Sequence, residues 1–468
     1  MKRVLLLAAL LPLPAFAYNE AVHAFITRSA LPDETPVVPP TQQDLDAFRT
    51  LFWRRASAHP GFVQRFPSPE SFTSWEFKQF LMLDPAATVH GFDATPDDVA
   101  MTRGRALELA SRWPDDDKRN QRRFLRDART HDVVLAPDRS PMPYDPATLD
   151  FGSLTGTTSQ GHAHYGLVDG PLSDDPDVLK KEPWRFAVPK TAHAYGPEFE
   201  RLYTDLSALA ASSGLPSAAW LQAAFAGSAF HHLQDVCNQI HTVQVGIYEF
   251  FESAFLQSKL RDLTTLGGVF GERRSLEQVG VRLIANHHLM SEDLFAKHFR
   301  ELPLDLDPPD PEIASAPDLM RAIIARSSRE AADVYRLAWR FSAKTLRDGV
   351  SGHEYDNAKG DDPDDYVARS PEAQEAIREF YALQSRGLRR AVTALREWNR
   401  RFPGPPHDPV PDLLAYHAKA AQRRAAYRPM SEKQTAIAWA YPAIAAVLLT
   451  GLTWLARSRL GKRKATAG

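Results

Sequence analysis

The chain has 468 residues, of which 44% are hydrophobic and 24% are charged, so its composition excludes a disordered or collagen-like protein. Its 56 basic and 58 acidic residues nearly cancel, so the overall charge gives no support for nucleic-acid binding. The single cysteine excludes both an internal disulfide and a zinc module built from cysteines.

The N-terminal segment has the parts of a secretory signal peptide. A basic start precedes an apolar run, and the segment closes with Ala15-Phe16-Ala17, the small-x-small pattern of a cleavage site. We therefore expect residues 1–17 to be removed, so that the exported protein begins at Tyr18. An uncleaved membrane anchor is the alternative.

Helical periodicity dominates the body of the chain. Apolar residues recur at helical spacing from Pro216 to about Gln239. Three later stretches share this pattern, namely residues 275–300, 317–348 and 371–401. Alternating strand patterns are scarce, so the sequence predicts an all-α fold. Linkers rich in proline and aspartate are predicted at residues 302–311, 360–365 and 402–411.

A second apolar run lies near the C-terminus. Residues 435–456 contain no charge and are long enough to cross the hydrocarbon core of a bilayer, which is about 30 Å thick. Residues 457–468 are basic, as is typical of a cytoplasmic flank. The sequence therefore predicts a transmembrane anchor in the cytoplasmic membrane, with the body on the periplasmic or extracellular side. A buried core helix is the alternative.

His231, Asp235 and His241 form the most informative cluster of polar residues. On a helix, His231 and Asp235 lie one turn apart on one face, and His241 follows nearly three turns after His231. Imidazole and carboxylate groups together suit Zn²⁺. The spacing favours a zinc site, and the alternative is a hydrogen-bonded pair with an unrelated histidine.

The run HHLQDVCNQIH, residues 231–241, resembles the signature helix of the zinc-dependent phospholipase C and single-strand-specific zinc nuclease superfamily. The resemblance covers roughly residues 18–300. It implies an exported multi-helix bundle that binds three zinc ions and cleaves phosphate esters. Residues 301–430 would then form a helical extension outside the family pattern.

The resemblance also implies ligands near the N-terminus. The family uses the α-amino group and carbonyl of its first mature residue, here Tyr18 where the family nucleases have tryptophan, and a histidine five positions later, here His23. Because the backbone is the ligand, this departure changes little. The next family ligand is an aspartate in a Trp-small-Asp context, matched by Asp115, with Asp117 and Asp150 as alternatives.

Three further ligands complete the implied set. A histidine that precedes an aromatic residue is matched by His164, with His162 as the alternative. A His-x3-Glu pair is matched by His288 and Glu292, and this spacing places both on one helix face. The pair lies farther from His241 than the family pattern has it, so an inserted segment is expected between them.

The resemblance divides these ligands among three zinc ions. The expected sets are the Tyr18 backbone with His23, then Asp115 with His164 and His231, then His241 with His288 and Glu292; Asp235 bridges the first two ions. Asp115 and Asp235 are the carboxylates expected to take part in catalysis, in which a zinc-bridged hydroxide attacks phosphorus.

The substrate is less well determined than the metal set. A membrane anchor favours a phospholipid, because attachment raises its local concentration. We therefore expect a phospholipase C-like phosphodiesterase. A single-strand-specific nuclease or 3′-nucleotidase of the same superfamily is the alternative, and only this reading makes nucleic acid a partner. A non-catalytic zinc-binding helical interaction protein is a third reading.

Overall fold

A computed structural model describes part of the chain, and all structural statements below concern that part. The described residues are 20–80, 102–114, 166, 170–171, 186–187, 196–242, 287–288, 290–302, 304, 313, 315–343, 346, 355, 360–401, 408–415 and 418. The predicted signal peptide, membrane span and basic tail lie outside them. No helix within the described ranges is long and apolar enough to cross a bilayer.

Helices make up most of the described residues, which confirms the all-α prediction at this level. Two antiparallel strands of two residues each, β1 (Gly170–Pro171) and β2 (Phe186–Ala187), are the exception there. The longer helices, in chain order, are α1 (Glu20–Ala30), α2 (Gln42–Ala56), α3 (Pro60–Arg65), α4 (Ser74–Phe80), α5 (Arg103–Ala110), α6 (Gly196–Ala211), α7 (Ala218–Asp235), α8 (described at 287, 288 and 290–298), α9 (Ala316–Phe341) and α10 (Pro371–Arg401).

Phenylalanine packing holds the N-terminal helices α2 to α4 together. Thr41 and Asp44 form a reciprocal capping box that fixes the start of α2. The Phe52 ring then lies 5.4 Å from Phe77 and 6.4 Å from Phe62, measured between centroids. These rings are almost fully buried, and tilted or edge-on aromatic pairs of this kind stabilise a core beyond the area they bury.

Helix α7 lies at the centre of the fold. Its residues from Ala223 to Asp235 are all buried, as expected of a helix that is covered on every side. Helix α5 crosses it at Gly227, where an added Cβ would lie 2.5 Å from the Leu107 carbonyl oxygen. Glycine therefore allows the close approach of α5, which brings Ser111 beside the polar end of α7.

Two predicted helix ends differ from the structure. Helix α7 ends at Asp235 instead of Gln239, and a separate 3-10 turn, Gln239–His241, follows it. His241 therefore does not continue the rotation of α7. Helix α9 ends at Phe341, whereas the sequence predicted an end at residue 348. The helix stops there because Ser342 adopts an extended backbone and forms a β-bridge with Val367.

Helices α9 and α10, from the predicted extension, share one core with the rest of the described chain. The Gln239 side-chain amide donates to Glu330 on α9 at 3.0 Å and to the Leu383 carbonyl on α10 at 2.8 Å. The Trp398 indole N–H on α10 donates to Glu200 on α6 at 2.9 Å. The extension therefore forms part of the wall around the end of α7.

Candidate metal centre

Two groups of buried acidic and imidazole side chains lie in the interior near the end of α7. Within each group the potential ligand atoms lie within 4.8 Å of one another. The first group is His23, His231 and Asp235, and the second is His241, His288 and Glu292. All six are among the residues predicted to bind zinc, and none is more than 5% exposed. The described residues therefore contain two groups that could hold metal ions.

The first group joins α1 to α7. Asp235 Oδ2 lies 3.1 Å from His231 Nε2, one helical turn away, and Asp235 Oδ1 lies 3.5 Å from His23 Nε2. The His23 and His231 rings stack with centroids 4.1 Å apart. One carboxylate thus meets two imidazoles that come from different helices.

Hydrogen bonds at Nδ1, the ring nitrogen that points away from Asp235, fix the orientation of the His23 and His231 rings. The His231 Nδ1 donates to the Ser111 carbonyl at 2.8 Å, because a carbonyl can only accept. His23 Nδ1 lies 2.6 Å from Gln234 Oε1, and the Gln234 amide donates to Thr27 Oγ1 at 2.8 Å. With Nδ1 protonated in each neutral ring, the Nε2 lone pairs of both histidines face Asp235.

This arrangement fits a bound cation. A lone pair and a carboxylate oxygen are both acceptors, so they repel each other when nothing lies between them. A single added proton, on one ring or on the carboxylate, would satisfy only one of the two contacts, and protonating both rings would put two positive charges into buried rings with centroids 4.1 Å apart. A divalent metal ion resolves this conflict, because neutral imidazole and carboxylate are the forms that coordinate it.

The second group combines α8 with the 3-10 turn after α7. Glu292 Oε1 lies 2.8 Å from His241 Nε2 and 3.1 Å from His288 Nε2. The two rings stack with centroids 5.2 Å apart, and the Asn238 amide donates to the same oxygen at 3.2 Å. Burial lowers the pKa of His288 to about 3, so this ring is neutral at pH 7. Neutral imidazole is the form that a metal requires.

Tyr335 on α9 contacts the second group at His288 Nδ1, the ring nitrogen that points away from Glu292. Its hydroxyl lies 3.3 Å from His288 Nδ1 and 3.5 Å from the Ile240 carbonyl oxygen. Burial, followed by the charge of Glu292, raises the pKa of Tyr335, so the phenol stays protonated. Nothing in the sequence pattern pointed to Tyr335, because it lies within residues 301–430, for which no resemblance was found.

The two groups adjoin each other through His241. Its Nδ1 lies 3.8 Å from Asp235 Oδ1, and its Nε2 faces Glu292. One imidazole therefore lies between the two carboxylates. This arrangement allows neighbouring metal ions rather than isolated sites.

Three predicted ligands and their alternatives lie outside the described residues: Tyr18, Asp115 and His164, with Asp117, Asp150 and His162. Described neighbours of Asp115 and of His164 contact residues of the centre. Ser111 contacts His231, and the Gly166 amide donates to the His241 carbonyl at 3.1 Å. The ligand roles of the undescribed residues stay predictions.

Two other residues of the run 231–241, His232 and Cys237, pack in the hydrophobic core instead of facing the centre. The His232 ring stacks with Phe199 and Tyr203, at centroid distances of 5.4 Å and 5.7 Å. Cys237 is fully buried, and burial raises its thiol pKa to about 12, so it acts as a core residue. The motif thus divides into residues that face the centre and residues that pack.

Comparison of the chain with protein-family models, with curated proteins and with solved structures finds no match. The geometry of the two buried groups is therefore the basis for assigning a function. That geometry establishes buried potential ligands on four structural elements, α1, α7, the 3-10 turn and α8.

Proposed function

We propose that the chain is an exported, membrane-tethered phosphodiesterase that holds three zinc ions and hydrolyses phosphate esters as a phospholipase C does. The observation that carries this proposal is the adjacency of the two buried groups, in which His241 lies between Asp235 and Glu292. A structural zinc site needs one closed set of four ligands. Two adjoining sets are instead what a multinuclear hydrolytic centre requires.

The proposed ligands are those expected from the sequence. In the described chain they are His23, His231, Asp235, His241, His288 and Glu292, and in the remainder Tyr18, Asp115 and His164. Zinc ions, when bound, supply Lewis-acid chemistry that polarises a phosphate ester and activates water near neutral pH. Asp235 and Asp115 are the carboxylates proposed to take part in this reaction.

The surrounding side chains orient the ligands and exclude bulk water. Ser111 and Gln234 accept the outer protons of His231 and His23, which keeps both inner nitrogens available. Asn238 donates to Glu292 and so fixes its carboxylate. Such partners of metal ligands typically change metal affinity by about 10- to 100-fold when they are mutated.

A phospholipid is the proposed substrate because of the expected membrane tether at residues 435–456. Holding the body next to a bilayer raises the effective concentration of lipid headgroups without any new contact. The near-neutral chain has no basic surplus for a polyanion, and a zinc centre would itself supply positive charge for one phosphate.

The test is hydrolysis of phosphatidylcholine and of single-stranded DNA by the purified full chain, with and without a chelator, alongside metal analysis. We expect release of phosphocholine that stops with the chelator and returns with zinc. His288→Ala should lose both metal and activity. His232→Gln is a control, since His232 packs against Phe199 and Tyr203 outside both groups.

Each outcome bears on the proposal. Chelator-insensitive hydrolysis refutes a metal mechanism, and hydrolysis of DNA alone moves the assignment to the nuclease. Bound zinc without hydrolysis of either substrate supports a non-catalytic zinc protein. A chain that binds no zinc removes the proposal entirely.

A further inference from the structure

A cavity of about 500 Å³ lies on the outer face of α1, next to α5 and the 3-10 turn Phe299–Glu301. Its charged lining is Arg28, Arg105, Arg112, Arg300, Glu20 and Glu108. Among the described lining residues, four guanidinium groups against two carboxylates leave an excess of two positive charges. No residue of the two buried groups lines this cavity.

Glu108 holds two of the arginines in place. Arg28 donates to its two oxygens at 2.5 and 3.1 Å, and Arg105 donates at 2.6 Å. Burial opposes ionisation of Glu108, but the hydrogen bonds and charges of both arginines outweigh it and lower its pKa. The Glu108 carboxylate thus orients two guanidinium groups but neutralises the charge of only one of them. The side chains of Arg28 and Arg105 remain 65% and 48% exposed, so they have donors left for a ligand.

Arg300 brings the second uncompensated charge. Its guanidinium lies over the Phe299 ring at 5.2 Å, and Phe299 is buried edge-on against Phe25 of α1 at 5.0 Å. This contact orients the exposed Arg300 side chain in the lining of the cavity. Within the described ranges Arg300 forms no ion pair, whereas Arg112 pairs with Glu20 at 2.6 Å.

We propose that this cavity binds the dianion of a phosphate monoester or of inorganic phosphate. Guanidinium groups recognise phosphate oxygens through paired charge-assisted hydrogen bonds. A phosphate monoester carries close to two negative charges at neutral pH, because its second pKa is about 6, and this matches the excess charge of the lining. The source is either a soluble phosphate or the headgroup of a phosphatidate-type lipid.

The test is calorimetric titration of the full chain in the presence of a chelator, which separates this cavity from any metal-bound phosphate. The two probes are inorganic phosphate and monomeric dihexanoyl phosphatidate. Arg300→Gln and Arg105→Gln should each weaken binding about tenfold or more, since hydrogen bonds to charged groups contribute about 1.5–3 kcal/mol. Arg321→Gln is the matched control, because Arg321 is 70% exposed on α9 and lies outside the lining.

The outcomes separate the two sources and can overturn the proposal. Tighter binding of phosphatidate than of phosphate, lost in both cavity variants, identifies a lipid headgroup. Equal binding of both probes, lost in the same variants, identifies soluble phosphate. No binding to the wild-type chain, or equal weakening by Arg321→Gln, overturns the proposal. Because zinc is absent, these results do not depend on whether the chain is a phosphodiesterase.

Discussion

Asp235→Asn is the most direct test of the candidate metal centre. The Asp235 carboxylate is fully buried and lies 3.1 Å from His231 Nε2, 3.5 Å from His23 Nε2 and 3.8 Å from His241 Nδ1. Asparagine keeps the shape but removes the charge, and one of its two terminal atoms becomes a donor. We expect the variant to fold and to lose the two zinc ions proposed to share this carboxylate.

The size of the loss follows from ligand chemistry. Mutating residues that only orient metal ligands lowers affinity by about 10- to 100-fold, so removing a shared anionic ligand should reduce it by about 100-fold or more. That factor corresponds to about 2.8 kcal/mol. At a free zinc concentration tenfold above the wild-type dissociation constant, a wild-type site is about nine-tenths filled and a variant site about one-tenth filled.

The assay counts metal by mass spectrometry after equilibration with buffered zinc, and records thermal unfolding with and without a chelator. Wild-type chain should retain three ions and Asp235→Asn one. In chelator, both should unfold within a few degrees of each other. Glu200→Gln is the matched control, since Glu200 is a buried carboxylate outside both groups. Full metal content in Asp235→Asn, or an equal loss in the control, would refute the reasoning.

Other changes probe the surroundings of the centre. Tyr335→Phe removes the hydroxyl 3.3 Å from His288 Nδ1 and should weaken zinc binding about 10- to 100-fold in a chelator competition. Gly227→Ala would place a methyl 2.5 Å from the Leu107 carbonyl and should lower the free energy of unfolding by about 1–3 kcal/mol in urea. Burial raises the pKa of the Glu200 carboxyl group in the folded state. Above the ordinary carboxyl pKa this group ionises more readily in the unfolded chain than in the folded one, so the free energy of unfolding falls as the pH rises. Glu200→Gln should therefore raise the free energy of unfolding more at pH 7.5 than at pH 4, with a chelator present at both.

Matched controls separate these effects from general damage. Tyr381→Phe removes a hydroxyl on α10 outside both groups and should keep zinc affinity. Gly61→Ala adds a methyl with ordinary contact, 3.5 Å from Leu414, and should leave stability nearly unchanged. For Glu200→Gln, an equal rise in the free energy of unfolding at pH 4 and at pH 7.5 would contradict the prediction. An equal effect in any control and its partner variant would contradict the corresponding prediction.

Local spacing was sufficient to predict the pairs that lie within one helix. His231 with Asp235, and His288 with Glu292, are each four positions apart, and helical geometry alone places such residues on one face. His241 could not be placed in this way. Helix α7 ends at Asp235 without a glycine or proline to mark the end, so the turn that carries His241 depends on tertiary contacts.

Contacts between distant segments were not predictable from the sequence. The amide of Gln239 contacts α9 and α10, and Tyr335 contacts His288, although nothing in the local pattern of either residue indicates a partner. Gln234 is similar, since its role follows only from the position of His23 on α1. A periodic pattern reports which face of a helix is apolar, whereas the identity of the opposing residue depends on how the helices are arranged.

The contact between Tyr335 and His288 has a consequence for how the molecule is made. A nascent chain that has reached residue 300 already contains all the described imidazoles and carboxylates of both groups, but not the phenol that orients His288 or the helix that covers it. We therefore expect the second group to reach its final geometry only after α9 has been synthesised. A recombinant fragment that stops at residue 300 would lack the Tyr335 contact to His288 and the Glu330 contact to Gln239, so it is a poor surrogate for the whole chain.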